Sequence, residues 1–206
     1  MRLLAAGILC LLAISPVFAQ SSPVCEIKKI LPEFVTPQIA SSYSKKASQS
    51  NGSWLEVDVD FDFPQPDKKG PKFADDLTVN YYILLSNKSS SEDGKATLLT
   101  GSVSHTDIAY GKGLHSAAFV SPQSLARFFD GKAPNNFNQA ITDIGVTISD
   151  GSGVIARKAF KSQVRGDKGW WDDTSDFTEV TGRVLSKDAT PFAALAWDYY
   201  LPLKAK

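Results

Sequence analysis

Apolar and polar residues alternate with a period of two through most of the chain, the rhythm of strands that bury one face. In "WLEVDVDFDF", residues 54–63, Leu55, Val57, Val59, Phe61 and Phe63 share one side, and Glu56, Asp58, Asp60 and Asp62 the other. "LTVNYYILLS" groups Leu77, Val79, Tyr81, Ile83 and Leu85 against Thr78, Asn80, Tyr82 and Ser86. "TLLTGSVSHTDI" and "GLHSAAFV" flank "AYGKG", a glycine-rich connection that predicts a hairpin. "DGSG" predicts a second hairpin between "ITDIGVTIS" and "VIARKAF", with Ile144, Val146 and Ile148 facing one way. "SPQSLARFFDG" breaks the rhythm. Ser121 can cap a helix, Pro122 suits its first position and Gly131 its exit, while Leu125, Phe128 and Phe129 fall at i, i+3 and i+4. One short packed helix is predicted there.

The tail is ambiguous. Leu195, Trp197, Tyr199 and Leu201 alternate, which favours a strand, while Thr190-Pro191 equally suits a helix start; residues 176–203 stay open between the two. Short strands, close turns and no βαβ alternation predict an all-β, immunoglobulin-like antiparallel sandwich with one short helix, spanning residues 20–206 as one domain. Within it, residues 20–53 form an N-terminal strand, from "EIKKILPEFVTP", and a serine-rich linker, "ASSYSKKASQSNGS". Such a linker spans roughly 20 Å by random-coil scaling. The arm can therefore dock on its own sheet or add to a neighbour's edge. Own-sheet docking is favoured, because its effective concentration is roughly millimolar or higher. A monomer in dilute solution is expected.

The first residues set the compartment. "MRLLAAGILCLLAISPVFAQ" has one Arg, an apolar run too short to span a bilayer, and Val17-Phe18-Ala19 before Gln20. Residues 1–19 are read as a signal peptide, cleaved after Ala19, so the protein is exported to the periplasm, the outer membrane or the extracellular surface. Cys10 and Cys25 follow Leu9 and Val24, which does not suit lipoprotein processing, and no transmembrane segment is expected in the mature chain. Cys25 then remains as a single cysteine, read as a buried free thiol in preference to an intermolecular bridge. Loss of Arg2 leaves 21 basic against 22 acidic residues, a net charge of −1 that calls for no nucleic acid and no anionic membrane.

The chemistry on offer is thin. The acids of residues 56–62 are spaced like a calcium loop, but the sixth place after Asp58 is Phe63, where such a loop needs glycine. They are read as the wet face of a strand, repelling by about 0.6 kcal/mol per pair in water, with Arg157, Lys158 or Lys161 on a neighbouring strand to offset this. No metal and no cofactor is expected. His105 and His115 are the only histidines and fall in the same predicted hairpin. A two-residue turn there points them to opposite faces, and a three-residue turn leaves about 13 Å between them, too far to share a zinc ion. They are read as independent strand histidines. There is no G-x-S-x-G elbow, and neither histidine comes with a recognisable nucleophile. Trp170 and Trp171 in "GDKGWWDDTSD" are the candidate ligand contacts. Neighbours on an extended chain point opposite ways, so one buried and one surface ring is expected, not a two-ring platform for a sugar.

"WLEVDVDFDF", "LTVNYYILLSN" and "TPFAALAWDYY", in this order behind a signal peptide, resemble a secreted verrucomicrobial family of the Akkermansia type. The resemblance runs from about Trp54 to Leu203. It implies an immunoglobulin-like fold and a pilus-associated protein whose partners are pilus or outer-membrane assembly proteins, with host mucus or glycans as further partners. It supplies no catalytic residues. The long N-terminal helix of a pilin is missing, which favours an accessory or adhesive part over the major filament subunit. The leading reading is thus a non-enzymatic surface protein. A carbohydrate-binding module is second and needs two exposed coplanar rings. A hydrolase is third and needs a cleft with two facing carboxylates.

Overall fold

The computed structural model describes residues 25–37, 53–87, 94–134, 136–196 and 198–205. Its strands are β1 (Glu26–Val35), β2 (Trp54–Phe63), β3 (Phe73–Ala74), β4 (Leu77–Leu85), β5 (Ala96–His105), β6 (Ile108–Ala109), β7 (Gly111–Val120), β8 (Ile141–Asp150), β9 (Gly153–Ala159), β10 (Phe177–Thr181) and β11 (Val184–Ser186). Sheet 1 has the order β1-β2-β7-β11 and sheet 2 the order β10-β5-β4-β8-β9, with β3 and β6 forming a small ribbon. The two sheets enclose one main core. The predicted inner faces supply it: Leu55, Val57, Val59 and Phe61 from β2, and Leu77, Val79, Tyr81, Ile83 and Leu85 from β4, all fully buried. The all-β sandwich expected from the period-two pattern is the fold.

Local signals act as their chemistry dictates. The Ser121 side chain accepts from Ser124 N at 3.1 Å and opens α1 (Pro122–Arg127), whose Leu125 is buried. Gly131 takes a positive φ of 79° after it, a conformation that costs glycine nothing. β8 and β9 form the expected hairpin, with Asp150 paired to Gly153. β1 docks on its own sheet, antiparallel to β2, and buries Cys25, Ile27 and Ile30. Burial pushes the Cys25 thiol up to about 12, helped by the nearby charges of Asp150 and Asp62.

Four expectations need correction. β5 and β7 are not a hairpin: β5 pairs with β4 and β10 in sheet 2, β7 with β2 and β11 in sheet 1. Residues 106–110, which include β6, carry the chain across the sandwich instead, and Gly111 and Gly113 belong to β7. Sheet 2 is not wholly antiparallel, because β10 runs parallel to β5. A second one-turn helix, α2 (Phe137–Ala140), adds to α1, with the Asn136 side chain accepting from Asn138 N at 3.0 Å. The alternating tail is neither strand nor helix over residues 191–196 and 198–200, which run as turns and bends. Its apolar residues serve different surfaces: Phe192 packs outside sheet 1, while Leu201 and Leu203 line the main core. The leader, Cys10, most of the serine-rich linker and Trp197 lie outside the described residues.

The tail closes the seam between the sheets. β10 covers the first half of β5, and β11 covers the last residues of β7. Farther on, Leu201 N donates to His115 O at 3.0 Å, Thr106 N to Pro202 O at 3.3 Å, and Lys204 N to Ser104 O at 2.9 Å. Residues 201–204 thus tie the remaining half of β7 to the remaining half of β5.

Candidate functional site

Where the tail crosses sheet 1 it meets the acidic row, and the solvated-face reading fails there. Asp58 is 8% exposed and Glu56 is half-buried. Their cover is the tail, held by their own hydrogen bonds. Tyr200 donates its hydroxyl to Glu56 Oε1 at 2.6 Å. Asp58 accepts from His115 Nδ1, 3.1 Å from both carboxylate oxygens, and from the Tyr199 hydroxyl at 3.3 Å. The Tyr199 ring stacks on His115 with centroids 4.1 Å apart and planes 30° apart. Beside them a small outer core forms, Phe119 stacked on Phe192 at 4.9 Å and Trp54 edge-on to Phe192 at 5.9 Å.

The groups set against the acids are not those expected. β9 belongs to the other sheet, and Arg157 there pairs with Asp172 at 3.0 Å. Near the acids stand His115, Lys28 (3.5 Å from Asp62) and Lys187, whose ammonium sits 5.5 Å from the centre of the Tyr200 ring. Burial raises the Glu56 carboxyl above its ordinary value, against the Tyr200 hydrogen bond. Burial likewise raises Asp58, against the bonds from His115 and Tyr199. The Tyr200 phenol is pushed well up, by burial first and then by Glu56. Burial lowers Lys187.

A second network lies directly beneath. His105 is 1% exposed, with Nδ1 3.2 Å from Pro202 O and Nε2 2.8 Å from Ser116 Oγ; Ser116 Oγ is 2.9 Å from the Tyr81 hydroxyl. The proton positions follow from the partners. A carbonyl only accepts, so Nδ1 carries the hydrogen and Nε2 accepts from Ser116, leaving Ser116 to accept from Tyr81. The chain Tyr81–Ser116–His105–Pro202 therefore joins sheet 2, sheet 1, sheet 2 and the tail. Burial lowers the His105 pKa, in keeping with a neutral ring.

The histidines are thus less independent than expected. They face opposite sides of β7, His115 outward and His105 against its inner neighbour Ser116, and both fasten the tail. His105 does have a serine at hydrogen-bond distance. Ser116, however, is fully buried, so a substrate carbonyl has no approach to its oxygen. Among the described residues, no group of three or more His, Cys, Asp or Glu side chains comes together as a metal site.

Trp171 is 3% exposed and lies flat over Gly145, stacked on Tyr82 at 5.5 Å and 14°. Trp170 is half-buried, edge-on to Trp171 at 5.5 Å and 84° and to Phe177 at 5.8 Å and 83°. The structure brings these two tryptophans together on sheet 2, away from the tail clasp. Sequence reasoning missed Ser116 and the roles of Tyr199 and Tyr200. One signal was available: Ala117-Ala118-Phe119-Val120 is apolar at every position, the pattern of a strand covered on both faces.

A protein-family model matches residues 19–206. The chain belongs to this Akkermansia-type family. A crystal structure of a protein from Akkermansia muciniphila is similar at 18% identity, with a TM-score of 0.70 over 90% of this chain and 98% of that one. At that identity the likeness shows the fold, a β-sandwich shared along nearly the whole length of both chains. No curated protein matches. Among the described residues of this family member, no helix is long and apolar enough to cross a membrane.

Proposed function

We propose that the chain is an exported, non-enzymatic cell-surface protein, a pilus-associated accessory or adhesive component that acts through protein–protein contacts. The observation that carries this reading is the tail clasp. Acids, a histidine and phenols gather at one place, and their hydrogen bonds are spent on one another, Glu56 with Tyr200 and Asp58 with His115 and Tyr199. Such a constellation fastens a chain and leaves no paired carboxylates facing an open cleft. Ring geometry supports protein contact over glycan binding. Tyr199 is 48% exposed, but its neighbour Tyr200 stands at 88° to it, whereas a sugar platform needs coplanar rings.

The test is made on intact cells that carry the protein. Labelling with a membrane-impermeant amine reagent should mark it, and sheared surface filaments should carry it with them. Labelling that requires cell lysis, with no protein in the filament fraction, would overturn the surface reading. Ester or glycoside turnover by the purified chain that disappears in His105→Gln would overturn the non-enzymatic one.

A further inference from the structure

The connection between β1 and β2 is far longer than its task requires. The two strands are antiparallel neighbours, and Val35 and Trp54 are partners at the end of the ladder. A two-residue turn would join such ends. Residues 36–53, eighteen in all, join them instead. β1 is also an edge strand, held by the β2 ladder and by the burial of Cys25, Ile27 and Ile30. Along its outward row, Lys29, Leu31 and Glu33 are exposed. Pro32 interrupts its backbone donors, a residue confined to edges because it cannot join a ladder on both sides. Adding a foreign strand outside β1 is therefore disfavoured. Replacing β1 is not, since an identical strand restores every contact.

We propose that β1 exchanges between copies of this chain: the arm of one molecule fills the place beside β2 of another, and that molecule's own arm is free to pass to a third. The partner is a second copy because the seat is specific. It takes Ile27 and Ile30 inward, spaced across the irregularity between Ile27 and Lys29, and sets Lys29 opposite Asp60. This inference deepens the surface-contact reading by naming a partner, and it rests on that reading for its setting. An open chain of exchanged arms leaves one seat and one arm unpaired at its ends, and a reciprocal pair leaves none, so exchange builds open chains as well as closed pairs. In dilute solution the tethered arm competes at an effective concentration of roughly millimolar and wins. Molecules crowded at an assembly site approach that concentration, and exchange becomes competitive.

The test uses two full-length mature chains, one carrying Lys29→Cys and the other Asp60→Cys. Both substitutions lie on the outward face, and the positions are partners within one chain. A disulfide between residue 29 of one chain and residue 60 of the other forms in register only if β1 has crossed. The mixture is incubated at about 10 μM and at about 1 mM, on either side of the tether's effective concentration, then oxidised and mapped by peptide mass spectrometry. A Glu33→Cys chain mixed with Asp60→Cys gives the out-of-register background. The proposal expects the 29–60 bond to rise at least tenfold over that background at the higher concentration and to stay near it at the lower. Equal yields of the 29–60 and 33–60 bonds at the higher concentration would overturn it. Protein that is labelled on cells yet shows equal yields would leave the surface reading standing and remove the exchange alone.

Discussion

Replacing His105 by Gln should flatten the acid limb of the stability profile. In the folded protein this ring is buried, gives Nδ1–H to Pro202 O and accepts from Ser116 at Nε2. Protonating Nε2 would place a cation out of water and turn a second donor toward Ser116, whose own hydrogen then loses its acceptor. The folded pKa therefore lies below the ordinary value of 6.5, with burial as the first cause. The unfolded chain takes up a proton near 6.5 that the folded chain refuses. Stability from this group is thus fully present above that value and is lost as pH falls through the window beneath it. Within the window the slope approaches about 1.4 kcal/mol per pH unit. Glu56 and Asp58 act in the opposite sense. Their folded pKa values are raised above 4.5 and 3.8, so their contribution is largest at low pH and is lost as pH rises through the raised values. The wild type minus variant difference isolates His105. Urea denaturation followed by tryptophan fluorescence at pH 7.5, 6.5, 5.5 and 4.5 supplies it. At pH 7.5 the variant should be about 1–3 kcal/mol less stable, having lost a buried bond. By pH 5.5 most of that gap should close. Parallel profiles between pH 7.5 and 5.5 would refute the buried neutral ring, and coincident profiles its role as the bolt of the tail.

Tyr200→Phe removes the 2.6 Å donor to Glu56 and should cost about 1.5–3 kcal/mol at pH 8, where the carboxylate is charged, and less near pH 4; urea midpoints at the two values test this. Gly145→Ala places a methyl group 2.1 Å from the Trp171 ring, so the indole must move off Tyr82. A loss of about 1–3 kcal/mol is expected, with a changed near-ultraviolet circular dichroism spectrum, and an unchanged spectrum would show the contact to be slack. Chelation with EDTA should leave the melting temperature within a degree or so, because Glu56, Asp58 and Asp62 are paired with Tyr200, with His115 and Tyr199, and with Lys28. A fall of several degrees that calcium reverses would contradict that account.

What was legible in the sequence was local. The inner faces of β2 and β4, the cap at Ser121 and the turn after Asp150 are each written within ten residues, in periodicity or in turn chemistry. What escaped depends on distant partners. Asp58 looks solvated until Tyr199, 141 residues away, lies over it, and Glu56 is covered in the same way by Tyr200, 144 residues away. The segment from Ala96 to Val120 looks like a hairpin because Gly111 and Gly113 have the spacing of a tight turn, but both lie within β7 and the crossing is made by residues 106–110. The distant partners distinguish the two: β5 pairs with β4 and β10, and β7 with β2 and β11. Trp171 is the buried ring expected of the pair, but Trp170 is half-buried and not a surface ring, and their places over Gly145 and beside Phe177 were not legible.

The seam has a consequence for the order of synthesis. β5 and β7 emerge early, yet the pieces that occupy their open edges, β10, β11 and residues 201–204, come after all nine preceding strands. Until those residues arrive, His105 lacks the Pro202 carbonyl, and Glu56 and Asp58 lack their phenols. A nascent chain short of this region therefore carries two bare strand edges and lacks the phenol donors of Glu56 and Asp58, a state that resists early closure. On the export route proposed above, that delay suits passage through a translocation channel before folding, because the lock emerges after the strands it joins.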